Sequence, residues 1–286
     1  CAIPLFWFNQ MDGRGPWDLE GSIREHQSVM KWYGAHNIPV ELNEPHHWGM
    51  RDSSDVVFVV SAYLSAYNAR AFGVRDYIAQ FMFNSPPGLS DAMDLAKMLA
   101  VLDMVEPLQN ENFKVWKQSR IGLLSHPLDP DAARGHLAAA TYLQMALKPH
   151  IYHIVGHTEA HHAATADDII EASKIVRRAI ENAVRGAPDM TADKAITKRR
   201  KELVKDATLL LEAISALAGP EAGDPLTDAA TLTRAVTSGL MDAPQLRNNK
   251  FGRGEVRTSI INGASVAVDH KGKPIPESKR IARLTV

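Results

Sequence analysis

Amide, carboxylate, imidazole and guanidinium side chains recur in this sequence just after short apolar runs, where such groups can gather around one small polar molecule. The first run leads into Asn9-Gln10-Met11-Asp12-Gly13-Arg14, and the second into Asn43-Glu44-Pro45-His46-His47. Gln80 and Asn84 belong to the third run. Ser125-His126-Pro127-Leu128-Asp129 follows the fourth, and Gly156-His157-Thr158-Glu159-Ala160-His161-His162 the fifth. No single residue here is diagnostic; their shared position after the runs is what points to an enzyme. Asn9, Gln10, Arg14, Glu44 and His46 are the candidate catalytic and substrate-binding groups. His157 and His161 stand four apart and could share a metal on a helix, with Glu44 or Glu159 completing the shell. No zincin or paired-cysteine signature accompanies them, so no metal ligand is assigned. His153, inside a run, reads as a core histidine. Nucleophilic catalysis lacks support: Cys1 precedes the first run and no G-x-S-x-G elbow occurs. Gly252-x-Gly254 is not preceded by a strand, as a dinucleotide fingerprint requires.

The elements that must hold these groups alternate as βαβ units do. Strands are predicted at Ile3–Phe8, Ile38–Asn43, Asp76–Phe81, Arg120–Ser125 and Ile151–Val155, spaced widely enough for a helix and two loops between neighbours. Helical stripes lie between them: Leu19, Ile23, Met30 and Tyr33; Val56, Val60, Tyr63 and Tyr67; Leu95, Met98, Leu102 and Val105. A further stripe, Ile169, Ser173, Val176, Ile180 and Val184, follows a capping box at Thr165 and Asp168. Past Gly186 the alternation stops. A charged helix is expected over 192–217, with Leu203, Leu210, Ile214 and Leu217 on one side. A short helix ending near Gly239 comes next, then a hairpin turning at Asn262-Gly263. The expected fold is α/β: the last five strands of a TIM-type (β/α) barrel over residues 1–186, and a C-terminal helical and irregular extension over 187–286. Five strands do not close a barrel. The apolar opening Ala2-Ile3-Pro4-Leu5-Phe6 suggests further strands supplied by a preceding segment or another chain.

Composition excludes several classes. With 32 basic and 33 acidic residues among 286, no global field favours nucleic acid or anionic lipid. Lys198-Arg199-Arg200-Lys201 reads as a solvated helix face. No apolar run is long enough to cross a membrane. One cysteine excludes an internal disulfide, in keeping with a soluble, cytoplasmic protein.

Three segments carry a family resemblance. Val40-Glu41-Leu42-Asn43-Glu44-Pro45, His153-Ile154-Val155-Gly156-His157-Thr158-Glu159-Ala160 and Ser238-Gly239-Leu240-Met241-Asp242-Ala243-Pro244 are similar, in order and approximate spacing, to the large subunit of glutamate mutase (methylaspartate mutase). The resemblance implies a (β/α) barrel that caps adenosylcobalamin and isomerises the carbon skeleton of a small amino or carboxylic acid by a radical route. It also implies a hetero-oligomer with a small cobalamin-binding subunit, since Asp269-His270-Lys271-Gly272 does not have the Asp-x-His-x-x-Gly spacing. Residue by residue, Glu159 matches the glutamate at the adenosyl ribose, with Ala163 at the matching interval. His126 falls near another cofactor-contacting position. Gly156-His157 stands where the family has a cofactor-contacting lysine, and Glu44 matches a strand-end glutamate at the substrate. Two alternatives stand beside this one: a metal-dependent barrel lyase or hydrolase using the histidine-rich loops, and a non-catalytic scaffold subunit.

Overall fold

Capping side chains set where the main helices begin. The computed structural model describes residues 2–284, so Cys1 lies outside the described residues. Asp18, Ser54, Ser90 and Asp129 each accept a backbone N–H of the first turn in helices α1 (Leu19–Ala35), α3 (Asp55–Ala71), α4 (Asp91–Val105) and α5 (Pro130–Gln144). A short helix, α2 (Glu44–Gly49), precedes α3. Thr165 and Asp168 form the expected capping box at the head of α6 (Ala166–Val184).

Between these helices run β1 (Ala2–Ile3), β2 (Val40–Leu42), β3 (Asp76–Phe83), β4 (Lys114–Ile121) and β5 (Ile151–Tyr152). All neighbours pair in parallel, in the order β1-β2-β3-β4-β5. An order that never reverses, joined by right-handed crossovers, leaves the helices on one side of the sheet. Tyr77, Ala79, Phe81, Phe83 and Val115 point to that side, into a core shared with α1, α3 and α4. Ile78, Gln80 and Met82 of β3 and Trp116, Gln118 and Arg120 of β4 alternate onto the opposite face, in register Ile78↔Trp116, Gln80↔Gln118 and Met82↔Arg120.

Several expectations shift. Strand pairing in the first unit ends at Ile3; Leu5, Phe6 and Trp7 are buried but continue as a loop. The fourth strand begins at Lys114, not Arg120, because lysines at 114 and 117 dilute the apolar signal; Leu123–Ser125 is a 3-10 turn. The fifth strand is confined to Ile151–Tyr152. The buried face of α6 is Ala172, Val176 and Ala179, while Ile169 and Val184 of the expected stripe are exposed.

The chain after residue 186 joins the same core. Helix α7 (Lys194–Ser215) buries Ile196, Leu203, Leu210 and Ile214 against α3 and α4, and α8 (Ala229–Thr237) adds Leu232 and Val236. Two members of the basic cluster are not free in solvent: Arg199 pairs with Asp55 at 3.0 Å and Arg200 with Asp103 of α4. The hairpin of β6 (Thr258–Ile261) and β7 (Ala264–Ala267) turns at Asn262-Gly263, both with positive φ. Its tip sits on the head of α4, where Ser90 N–H donates to Gly263 O at 2.9 Å and a Cβ on Gly263 would meet Ser90 Oγ at 2.2 Å. A last helix, α9 (Glu277–Ala282), is tied down by Arg280, which donates to Gly239 O and Leu240 O while paired with Glu277. Among the described residues no helix is long and apolar enough to cross a membrane.

Candidate functional site

The polar residues expected at the strand ends fall into two groups on neighbouring parts of the sheet. The first surrounds α2. His46, expected in a loop, lies in this helix, with its Nδ1 2.6 Å from Gln80 Oε1. Gln80 Nε2 donates to Glu41 Oε1 at 2.6 Å. With that amide orientation Nδ1 of His46 is the donor, which leaves Nε2 as the basic nitrogen. Burial, then the charge of Arg120, pushes His46 down to about 3, so its ring is neutral at ordinary pH. His47 packs on it, ring centroids 4.0 Å apart, and burial lowers it to about 2.

Both histidines give the fold a defined response to acid. Their folded-state values of about 3 and about 2 lie below the ordinary 6.5, so the unfolded chain takes up protons first as pH falls. Their contribution is whole above pH 6.5 and declines below it, by up to about 1.4 kcal/mol per pH unit for each ring. Glu44, raised by burial from 4.5 to about 7, acts in the opposite sense and weakens the fold as pH rises through that window. Two rings outweigh one carboxyl. Urea midpoints are therefore expected to fall between pH 6.5 and about pH 5, and equal midpoints would contradict the neutral histidine pair.

Glu44 does not face a cavity. It is fully buried: Oε2 accepts the N–H groups of Leu5 (2.6 Å) and Phe6 (3.0 Å), and Oε1 accepts Trp48 Nε1–H at 2.7 Å. These bonds hold the segment after β1 against α2. Glu44→Gln keeps one acceptor oxygen but turns an NH₂ toward one of these donors. A loss of about 1–3 kcal/mol is expected in denaturant unfolding; an unchanged midpoint would show that the three bonds carry no stability.

Asn9 is likewise structural. Buried, it donates to Phe6 O and Ser22 Oγ and accepts from Met11 N–H. Gln10 turns outward to Pro16 O. Arg14 pairs with Asp12 at 2.6 Å, lies over the Phe8 ring, and reaches to 3.5 Å from His47 Nδ1.

Residues of the sheet face itself were missed from the sequence. Arg120 projects from β4 beside Met82, half-buried, with Nε buried and without a hydrogen-bond partner. Among the described residues no carboxylate makes an ion pair with it, yet Glu41 and Glu159 are close enough to act on its charge. His153 feels the charges of both Arg120 and Glu41. Glu41, Gln80, His46, Arg120 and His153 thus form one polar row at the carboxyl ends of β2 to β5. The period-2 alternation of Trp116, Gln118 and Arg120 carried that signal once β4 is started at Lys114.

The second group gathers where β4 and β5 meet α5 and α6. His126 is 6% exposed and neither ring nitrogen has a hydrogen-bond partner; burial lowers it to about 4. His157, 4% exposed, has Nε2 3.5 Å from Glu171 Oε2. Both are the residues expected at the cofactor, and both are buried in this structure. Gly156, Glu159 and Ala163 remain on the accessible part of the same loop, with Glu159 exposed. His161 and His162 face each other at 3.0 Å, not a shared metal with His157 along a helix; the segment is a turn. No protein-family model matches the chain, and no curated protein matches it at a significant level.

Proposed function

We propose that the chain is one sector of a (β/α) barrel that acts with adenosylcobalamin on a small amino or carboxylic acid, isomerising its carbon skeleton as glutamate mutase does. The observation that carries this is Arg120: a half-buried cation without an ion pair, in a polar row at the carboxyl ends of parallel strands. In a parallel sheet wound in one direction, that end of the strands is where a barrel holds its substrate. Closing such a barrel takes about three more strands, from another segment or another chain.

In this assignment Arg120 binds the substrate carboxylate, and neutral His46, steered by Gln80 and Glu41, accepts a hydrogen bond at Nε2. Trp7, Phe6 and Trp48, packed edge to face behind α2, form an apolar wall that keeps water from the reacting atoms. The chain's own residues fit the cofactor at the fifth strand end. Glu159 offers an exposed carboxylate for two hydroxyls, and a Cβ on Gly156 would touch only Thr158 Oγ1 and Ala164 Cβ, at 3.7 and 3.9 Å, which leaves room for close approach. When bound, adenosylcobalamin supplies the radical that removes a hydrogen atom from the substrate. A small cobalamin-binding subunit is the partner in this assignment.

Equilibrium binding of adenosylcobalamin to the full-length protein with its small partner tests the assignment. Saturable binding that weakens about tenfold in Glu159→Gln is expected, the size of one lost charge-assisted contact. Absence of binding, or binding indifferent to Glu159, would overturn it.

A further inference from the structure

The head of α6 gathers three groups of metal-ligating chemistry, one of them the capping-box Asp168. His157, Asp168 and Glu171 each offer one ligand atom, and the three atoms lie within 4.8 Å of one another. His157 Nε2 and Glu171 Oε2 are 3.5 Å apart, too far for a good hydrogen bond. Two ligands each about 2.1 Å from a tetrahedral ion stand about 3.4 Å apart, which is close to that separation. Asp168 and Glu171 come from one face of α6, and His157 from the loop after β5.

Buried groups without partners point the same way. His126 is buried with both ring nitrogens unsatisfied, and it lies near enough to His157 to feel its charge. His157 Nδ1 is also buried and unsatisfied. Buried imidazoles are ordinarily hydrogen-bonded, and both of these rings are short of partners within the protein. Carboxylates outnumber guanidinium here, Asp131, Asp168 and Glu171 against Arg134, which donates to Glu171 Oε1 at 2.6 Å and to Oε2 at 3.3 Å. His162, 3.0 Å from Asp168, stands at the outer edge.

We propose that His157, Asp168 and Glu171, with His126 adjacent, bind one divalent transition-metal ion of the Zn²⁺ type. One imidazole with two carboxylates is a nitrogen–oxygen set that favours such ions over Ca²⁺ or Mg²⁺. The ion would pin the 156–162 loop, which carries Glu159, onto α6. Its ligands His157, Asp168 and Glu171 all come from this chain, and its existence does not depend on cobalamin binding.

Zn²⁺ titration of the chelator-treated full-length protein by calorimetry, with Ca²⁺ and Mg²⁺ as controls, tests this. One Zn²⁺ per chain is expected, weakened at least tenfold in His157→Ala and in Glu171→Gln, and retained in the His161→Ala/His162→Ala double variant. Co²⁺ substitution is expected to give visible absorption of a four-coordinate nitrogen–oxygen site, a readout that survives if one variant folds poorly. No binding, binding equally strong in His157→Ala and Glu171→Gln, or loss only in the His161/His162 variant would overturn the site.

Discussion

Lys97→Met is expected to destabilise the protein by about 3–5 kcal/mol, measured by urea unfolding, although the substituted side chain is apolar and similar in length. Lys97 is fully buried in α4. Its Nζ lies 2.9 Å from Asp94 Oδ1, 3.8 Å from Asp55 Oδ1 and 2.7 Å from Ser85 O, above the Phe58 ring. Asp94 in turn accepts Asn84 N–H at 2.5 Å, and Asp55 takes Arg199 from α7. One ammonium therefore joins the loop after β3 to α3, α4 and α7. Without it two carboxylates remain buried near each other, and burial already raises Asp94 above the usual carboxylate range. Adding Asp94→Asn removes one of those charges and leaves an acceptor for Asn84 N–H. The double variant is expected to be more stable than Lys97→Met alone. Additive losses would mean that the cluster is not coupled.

Arg120→Ala is expected to weaken use of a carboxylate substrate by about 2–5 kcal/mol, or roughly thirtyfold to several thousandfold in kcat/KM, while changing the unfolding midpoint little. The separation of effects follows from its position. Its guanidinium has no ion pair to lose among the described residues, and it faces the side of the sheet opposite the main core. Arg120→Lys keeps the charge but not the two-pronged geometry, and is expected to recover only part of the loss. A large drop in stability instead, with unaltered kinetics, would make Arg120 a packing residue.

Elements whose signals are local were legible in the sequence. The capping box at Thr165 and Asp168 is written within one turn, and the Asn262-Gly263 turn within two residues. Five parallel strands in sequential order followed from the spacing of apolar runs. What failed depended on partners far along the chain. Lys97 looks like any helical lysine three residues after an aspartate; only the fold brings Ser85 O and Asp55 to it. Glu44 reads as a strand-end acid, but the N–H groups of Leu5 and Phe6 fully occupy one of its oxygens. Arg120 was hidden by a strand started six residues late, which moved it from the middle of an alternating face to a strand's first position. In α6 the buried positions are Ala172, Val176 and Ala179, two of them small, so counting large apolar residues favoured Ile169 and Val184, which face outward.

The site's polar row, from Glu41 through Gln80 to His46 and across to Arg120, is the part of the molecule on which the functional account rests. Its most direct test is NMR detection of carbon-skeleton rearrangement in a panel of small amino and carboxylic acids, using the full-length protein with the proposed small cobalamin-binding subunit. A branched or linear isomer of one acid is predicted to form only when adenosylcobalamin is present, and to fall to background in Arg120→Ala. An assembly that leaves every acid in the panel unrearranged, with and without adenosylcobalamin, would contradict the account.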